Sequence, residues 1–205
     1  MKGARLALRA IVTPLGTNAL ASYNIAYNIT VFSQIPSSAV LGTIFVASGM
    51  CMGAGKPEEL KTLYRKLALL NRAFYLAVNG AILLLRGPVL AAFHPEPDMI
   101  PELTWCLVLV LSAEFAYHTE SFASVYLLRG CGDVAVTTVY SAVSLAVFRV
   151  GAAWVLSRTM EMGVFGAYLG MCCDWLSRAV FFGIRYARGR WMRRRVLPDS
   201  KAMTG

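Results

Sequence analysis

Seven ionisable residues fall inside stretches that are otherwise apolar: Arg72, Glu114, His118, Glu120, Arg149, Asp174 and Arg178. A charge withdrawn from water is costly, so each needs a partner or a task. Glu114 and His118 stand four residues apart, one turn of a helix. A carboxyl and an imidazole at that spacing can hold a cation or pass a proton, because both can change protonation near neutral pH once buried. At about 100° per residue, Glu114, Tyr117, His118, Glu120, Ser121 and Ser124 fall within an arc of about 160°. That face is expected to line a wet cavity. The opposite side, with Leu111, Phe115, Phe122 and Tyr126, is expected to meet lipid. The plainer reading is that these polar groups only hydrogen-bond neighbouring helices.

The second constellation is "CCDWLSR", residues 172–178, where Asp174 and Arg178 are again one turn apart. If the last two apolar runs form an antiparallel hairpin around Met160, Arg149 lies about 11 residues before the centre and Asp174 about 14 after it. At a rise of about 1.5 Å per residue the two sit within one turn of the same depth. An intramembrane ion pair of Asp174 with Arg149 and Arg178, locking the last two helices, is the first reading. Exchange of protons or partners by Asp174 is the second.

Other polar groups have simpler explanations. Asn71, Arg72 and Asn79 are expected to make interhelical contacts, with Asn79 also a candidate for the cavity wall. Tyr23, Asn24, Tyr27 and Asn28 form a polar-aromatic band, placed either at the membrane interface or facing the cavity, where rings could hold an organic cation by cation–π contact. "GMCMGAG" lacks the Lys and Ser/Thr of a phosphate loop and reads as a close-packed helix end. There is no nucleophile elbow, no HExxH and no metal-spaced acid cluster, so an enzyme is not expected. The five cysteines show no paired spacing and read as small apolar residues.

The elements that must position these groups follow from composition. Of 205 residues, 57% are hydrophobic and 15% charged, with mean hydropathy +0.56. Soluble domains carry about 25% charged residues, so the chain reads as an integral membrane protein. Its net charge of +9 clusters at the ends of apolar runs, the pattern of membrane topology rather than of nucleic-acid binding. Five runs can supply the about 20 residues that a membrane helix needs. They lie near residues 18–50, with Pro36 as a kink, and near 63–85, 103–128, 134–156 and 163–184. Trp105, Trp154 and Trp191 fall near span ends, as interfacial anchors.

Lys56, Lys61, Arg65 and Lys66 follow the first span, Arg129 follows the third, and "RYARGRWMRRR" follows the fifth. The alternate loops carry one arginine each among several acids. This bias places the basic set and the C-terminus in the cytoplasm. Lys2, Arg5 and Arg9 then sit on the wrong side of the first full span, unless residues 1 to about 14 are the second half of another helix. The expected architecture is all-α, with five full transmembrane helices plus one partial one. Residues 1–190 form the bundle, and 191–205 form a basic cytoplasmic tail touching anionic lipid. The chain is read as a fragment, or half of a larger transporter.

Several stretches, in order and at familiar spacing, carry a resemblance. "PLGTNALASYNIAYNI" and "IPSSAVLGTIFVASGMCMGAGKPEELK" are followed by "YLLRGCGD", "FRVGAAWVL" and "GAYLGMCCDWLSRAVFFGIRYARGRW". Together they resemble the C-terminal lobe of the multidrug and toxic compound extrusion (MATE) transporters, with its first helix truncated. The resemblance implies one lobe of a twelve-helix protein built from two pseudo-symmetric halves. It implies a secondary transporter of a bacterial plasma (inner) membrane that exports drugs or organic cations in exchange for H⁺ or Na⁺. Its partners would be the drug, membrane lipid and an N-terminal lobe. No cofactor beyond the coupling ion is implied. The family's C-lobe cavity takes acidic and aromatic residues from the helix that here holds Glu114 and His118, and His118 stands where some members carry Asp. A lipid-linked saccharide flippase of the wider superfamily and a non-transporting membrane fragment are the alternatives.

Overall fold

The computed structural model describes residues 8–193, and no strand occurs among them. Residues 8–12 are helical and lead through a short turn to Gly16. There follow α1 (Thr17–Ser33), α2 (Ile35–Gly53), α3 (Pro57–Leu84), the short α4 (Arg86–Ala91), α5 (Pro97–Gly130), α6 (Val134–Thr159) and α7 (Gly163–Ala187). Four of these, α2, α3, α5 and α6, are long and apolar enough to cross a membrane. Helix α7, with 25 residues, would span about 38 Å, but it carries Asp174, Arg178 and Arg185. The molecule is an all-α membrane helix bundle.

Residues 17–53, expected as one span kinked at Pro36, are two helical segments that break at Gln34. Pro36 has no N–H to give, and its ring presses on the carbonyl one turn back. The break therefore falls before the proline, and the Gln34 N–H is shared between the Thr30 and Val31 carbonyls, at 3.2 Å each.

Helix α5 is the central element, packed against α1, α2, α3 and α7. Of its apolar window 44% is buried, against 17–28% in the other three membrane-length helices, which places it inside the bundle rather than on the lipid boundary. It is not uniform. Over Glu114–His118 it opens into a π turn. Each such turn takes up one extra residue, so the residues beyond it are set back by about 100° relative to an unbroken helix. The face expected to meet lipid is corrected, by that offset for Phe122 and Tyr126 and, for Leu111 ahead of the turn, by the central place of α5 in the bundle. Leu111 and Phe122 are buried, Tyr126 is half-buried against the core, and Phe115 alone of the four is exposed.

Helices α6 and α7 meet through glycines. A Cβ on Gly170 would lie 2.6 Å from the Ala153 backbone nitrogen, and one on Gly166 2.7 Å from the Leu156 carbonyl carbon. Both neighbours are main chain and cannot turn aside. Such small-residue contacts let membrane helices approach closely. Gly170→Ala is expected to cost about 1–3 kcal/mol, seen as a lower thermal midpoint in detergent. An unchanged midpoint would mean that the two helices do not pack this tightly.

Two of the expected tryptophan anchors, Trp105 and Trp154, are exposed at the bundle surface. Trp191 is not one of them. It is buried, stacks on Tyr186 at 5.6 Å and donates its N–H to the Tyr186 carbonyl. Of the expected tail, 191–205, residues 194–205 lie outside the described residues, as do residues 1–7 of the expected partial helix.

Candidate functional site

Glu114 is fully buried at the start of the π turn. Its carboxylate faces the break between α1 and α2. It accepts hydrogen bonds from Ser33 Oγ at 2.6 Å, Gln34 Nε2 at 2.7 Å and Asn79 Nδ2 at 3.1 Å. Asn79, on α3, also donates to the Leu111 carbonyl at 3.0 Å. Two interrupted helices thus meet at one acid. The broken turn offers side-chain donors, and the π turn aims the carboxylate at them. The donors within hydrogen-bonding range are all neutral, so Glu114 is solvated by dipoles rather than neutralised by a base. A carboxyl in that setting can take up a proton or a monovalent cation without first breaking a salt bridge.

His118 closes the same π turn but has different neighbours. Its Nδ1 lies 2.8 Å from the Tyr75 hydroxyl, its ring stacks on Phe122 at 4.2 Å, and Trp175 meets it edge-on at 5.0 Å. It lines a cavity of about 110 Å³ among α1, α5, α6 and α7, together with Tyr23, Tyr27, Gln34, Arg149 and Trp175. Gln34 connects the two groups, since it borders the cavity and donates to Glu114. Sequence reasoning missed Ser33, Gln34, Tyr75 and Trp175. The one available signal was a Ser-Gln pair just ahead of a proline inside an apolar run.

The remaining residues of the expected face separate. Glu120 pairs with Arg72 of α3 on a partly exposed surface. Ser121 donates to the Trp175 carbonyl, and Ser124 bonds the Tyr64 hydroxyl at 2.9 Å. Tyr117 is half-buried against the core. Asn71 donates to Thr119 Oγ1 at 3.0 Å. Arg72, Asn71 and Ser124 therefore tie α3 to α5 and stand apart from the Glu114 seat.

Asp174 and Arg178 are both buried and paired at 2.8 Å along α7. Asp174 Oδ1 also accepts from Ser144 Oγ at 2.5 Å, and Arg178 donates to the Ser141 carbonyl at 3.1 Å. These two bonds cross from α7 to α6. Arg149 reaches the same acid only at 3.9 Å, beyond hydrogen-bonding distance. The three charges are gathered as the spacing suggested, but the tight contacts run through Arg178 and Ser144.

The MatE family model matches residues 3–155. A relative named "Probable multidrug resistance protein NorM" from Thermotoga maritima is 24% identical over 182 residues, covering 89% of this chain and 39% of that protein. The protein of the same name from Idiomarina loihiensis is 26% identical over 187 residues, covering 89% of this chain and 40% of its own length. The chain thus spans about two fifths of the relatives it matches. Among solved structures, an inward-facing multidrug resistance MATE family transporter of the MOP superfamily aligns over 95% of this chain and 45% of its own. The TM-score is 0.81 at 19% identity. A crystal structure of MATE in complex with MaL6 aligns with a TM-score of 0.82 at 19% identity, over 93% and 43%. At these identities the structural likeness concerns the fold.

Proposed function

Because this chain belongs to the MatE family of multi-pass membrane proteins, we propose that it forms the C-terminal lobe of a drug exporter. Its work is secondary transport and not a chemical conversion. The substrate class is drugs or organic cations, exchanged for H⁺ or Na⁺, and the partner is an N-terminal lobe that closes the central cavity. Residues 1–190 are the bundle. The basic tail expected over 191–205, beyond the Trp191 that packs on Tyr186, is placed on the cytoplasmic side of a bacterial plasma membrane, in keeping with the Lys/Arg bias of the loops.

The observation that carries this reading is the Glu114 seat. A buried membrane acid among neutral donors, where two helices are interrupted, is the arrangement expected of a coupling-ion site. Asn79 orients it, and His118 lies across Gln34 on the cavity side. Ion binding at Glu114 can drive export only through its differential affinity for the inward and outward arrangements. Tyr117, on the same helix, is assigned to the rim, whereas Glu120 is engaged by Arg72 and is left outside the seat.

The test is efflux of a fluorescent organic cation from cells expressing this chain together with an N-terminal lobe, under imposed H⁺ and Na⁺ gradients. Efflux that tracks one of the two gradients is expected. Absence of efflux under both, with the protein present in the membrane, would sink the reading.

A further inference from the structure

The charges around the cavity do not balance. Asp174 is matched at close range by Arg178, with Ser144 completing the same oxygen. Arg149 is the surplus. Its side chain is only 11% exposed, it stands 3.9 Å from Asp174 Oδ2, and its Nε has no hydrogen-bond partner. Asp174 Oδ2 has no hydrogen-bond partner among the described residues either, so one carboxylate is shared by two guanidiniums and the cluster keeps a net positive charge, which is costly where it is buried. Trp175 borders the same cavity, is 1% exposed, and its Nε1–H, like Arg149 Nε, has no partner among the described residues.

Among the described residues, the other charged or titratable groups nearby do not remove the surplus. His118 is on the wall and already engaged with Tyr75. Arg178 sits behind Phe122, 5.9 Å from its ring centroid, and adds positive charge. Glu114 does not line the cavity and is turned toward its own three donors. Tyr23 and Tyr27 supply ring faces rather than charge.

The volume bounds what this lobe encloses by itself. About 110 Å³ is room for a head group, well below the roughly 300–1,000 Å³ of a pocket that takes a drug whole. We propose that this cavity binds a carboxylate, the acidic end of an amphoteric substrate, with Arg149 as counter-ion and Trp175 Nε1 as a second donor. The identification of that carboxylate with an exported molecule rests on the proposed drug export. The cationic end of such a substrate then lies outside the cavity, toward the open side of the bundle.

Binding is tested without transport, so failure here is separable from failure of efflux. The full chain in lipid nanodiscs is titrated with 4-fluorobenzoate, 4-fluorobenzamide and 4-fluorobenzylammonium, monitored by fluorine NMR. The benzoate is expected to bind at least tenfold more tightly than the amide of the same shape. Trp175→Phe removes one donor and keeps an aromatic ring, and is expected to weaken benzoate binding about tenfold. Arg149→Gln is expected to weaken it by more. If Arg149→Gln does not fold, the Trp175→Phe comparison alone decides. Equal binding of benzoate and benzamide, or benzoate binding unchanged in Trp175→Phe, overturns the proposal. Chloride displacing the benzoate as effectively as acetate does would also overturn it, in favour of a halide site.

Discussion

Glu114→Gln in the two-lobe protein is expected to reduce export of a fluorescent organic cation by about a hundredfold or more, equivalent to about 2.7 kcal/mol. The substitution keeps the shape and removes the negative charge and its titration. Its stability cost is of a different size. A glutamine must present an amide N–H to one of the Ser33, Gln34 or Asn79 donors, so a hydrogen bond is lost at about 1–3 kcal/mol. Glu114→Asp keeps the charge on a shorter stem and is expected to retain part of the export. Glu120→Gln is the control. Glu120 is also an acid on α5, but it is partly exposed and paired with Arg72. It lies outside the seat formed by Ser33, Gln34 and Asn79, so near-normal export is expected. The opposite result, normal export in Glu114→Gln and loss in Glu120→Gln, would move the coupling site to the α3–α5 face.

Asp174→Ala is expected to be the most damaging change to stability, at about 3–5 kcal/mol, because it strands buried arginines without their carboxylate. Arg178 loses its 2.8 Å partner, and Ser144 loses its acceptor. Arg149 loses what attraction remains at 3.9 Å. The measurement is the thermal midpoint and the monodisperse fraction in detergent. Adding Arg178→Met to Asp174→Ala removes the stranded charge and is expected to recover more than half of the loss. The two substitutions share a contact, so their effects should be strongly non-additive. A double variant no more stable than the single one would show that Asp174 does not stabilise the bundle through Arg178.

The helical fold and the ionisable residues that interrupt the apolar runs were legible because hydropathy is read along the chain, although Arg72 and Glu120 of that set are partly exposed. Apolar runs long enough to span a bilayer are visible without knowing what they touch. The hairpin depth argument brought Arg149, Asp174 and Arg178 together for the same reason, since helical rise converts residue number into height. Direction around the helix was not legible in the same way. The wheel drawn through Glu114–Ser124 assumed a constant 100° per residue, and the π turn at Glu114–His118 breaks that assumption. Phe122, beyond that turn, is buried rather than lipid-facing, and Leu111, ahead of it, is buried because α5 is enclosed by its neighbours. Trp191 misled for a related reason, because a tryptophan near a span end can anchor in the interface or fold back, as here, onto Tyr186.

By itself, the sequence determined an all-α membrane bundle, the likeness to one lobe of a known transporter family, and a set of ionisable residues within apolar runs, of which Glu114, His118, Asp174 and Arg178 are buried. Only the tertiary structure decided who partners whom. Ser33 and Glu114 are 81 residues apart, and Ser144 and Asp174 are 30 apart. Such partners are set by how helices dock, and docking depends on a break before Pro36 and on the main-chain approach allowed by Gly166 and Gly170. Height along a helix is a property of its own residues. The azimuth of a side chain and the charge balance around it belong to the assembled bundle, which is why the sharing of Asp174 between a close Arg178 and a more distant Arg149 could be found only there.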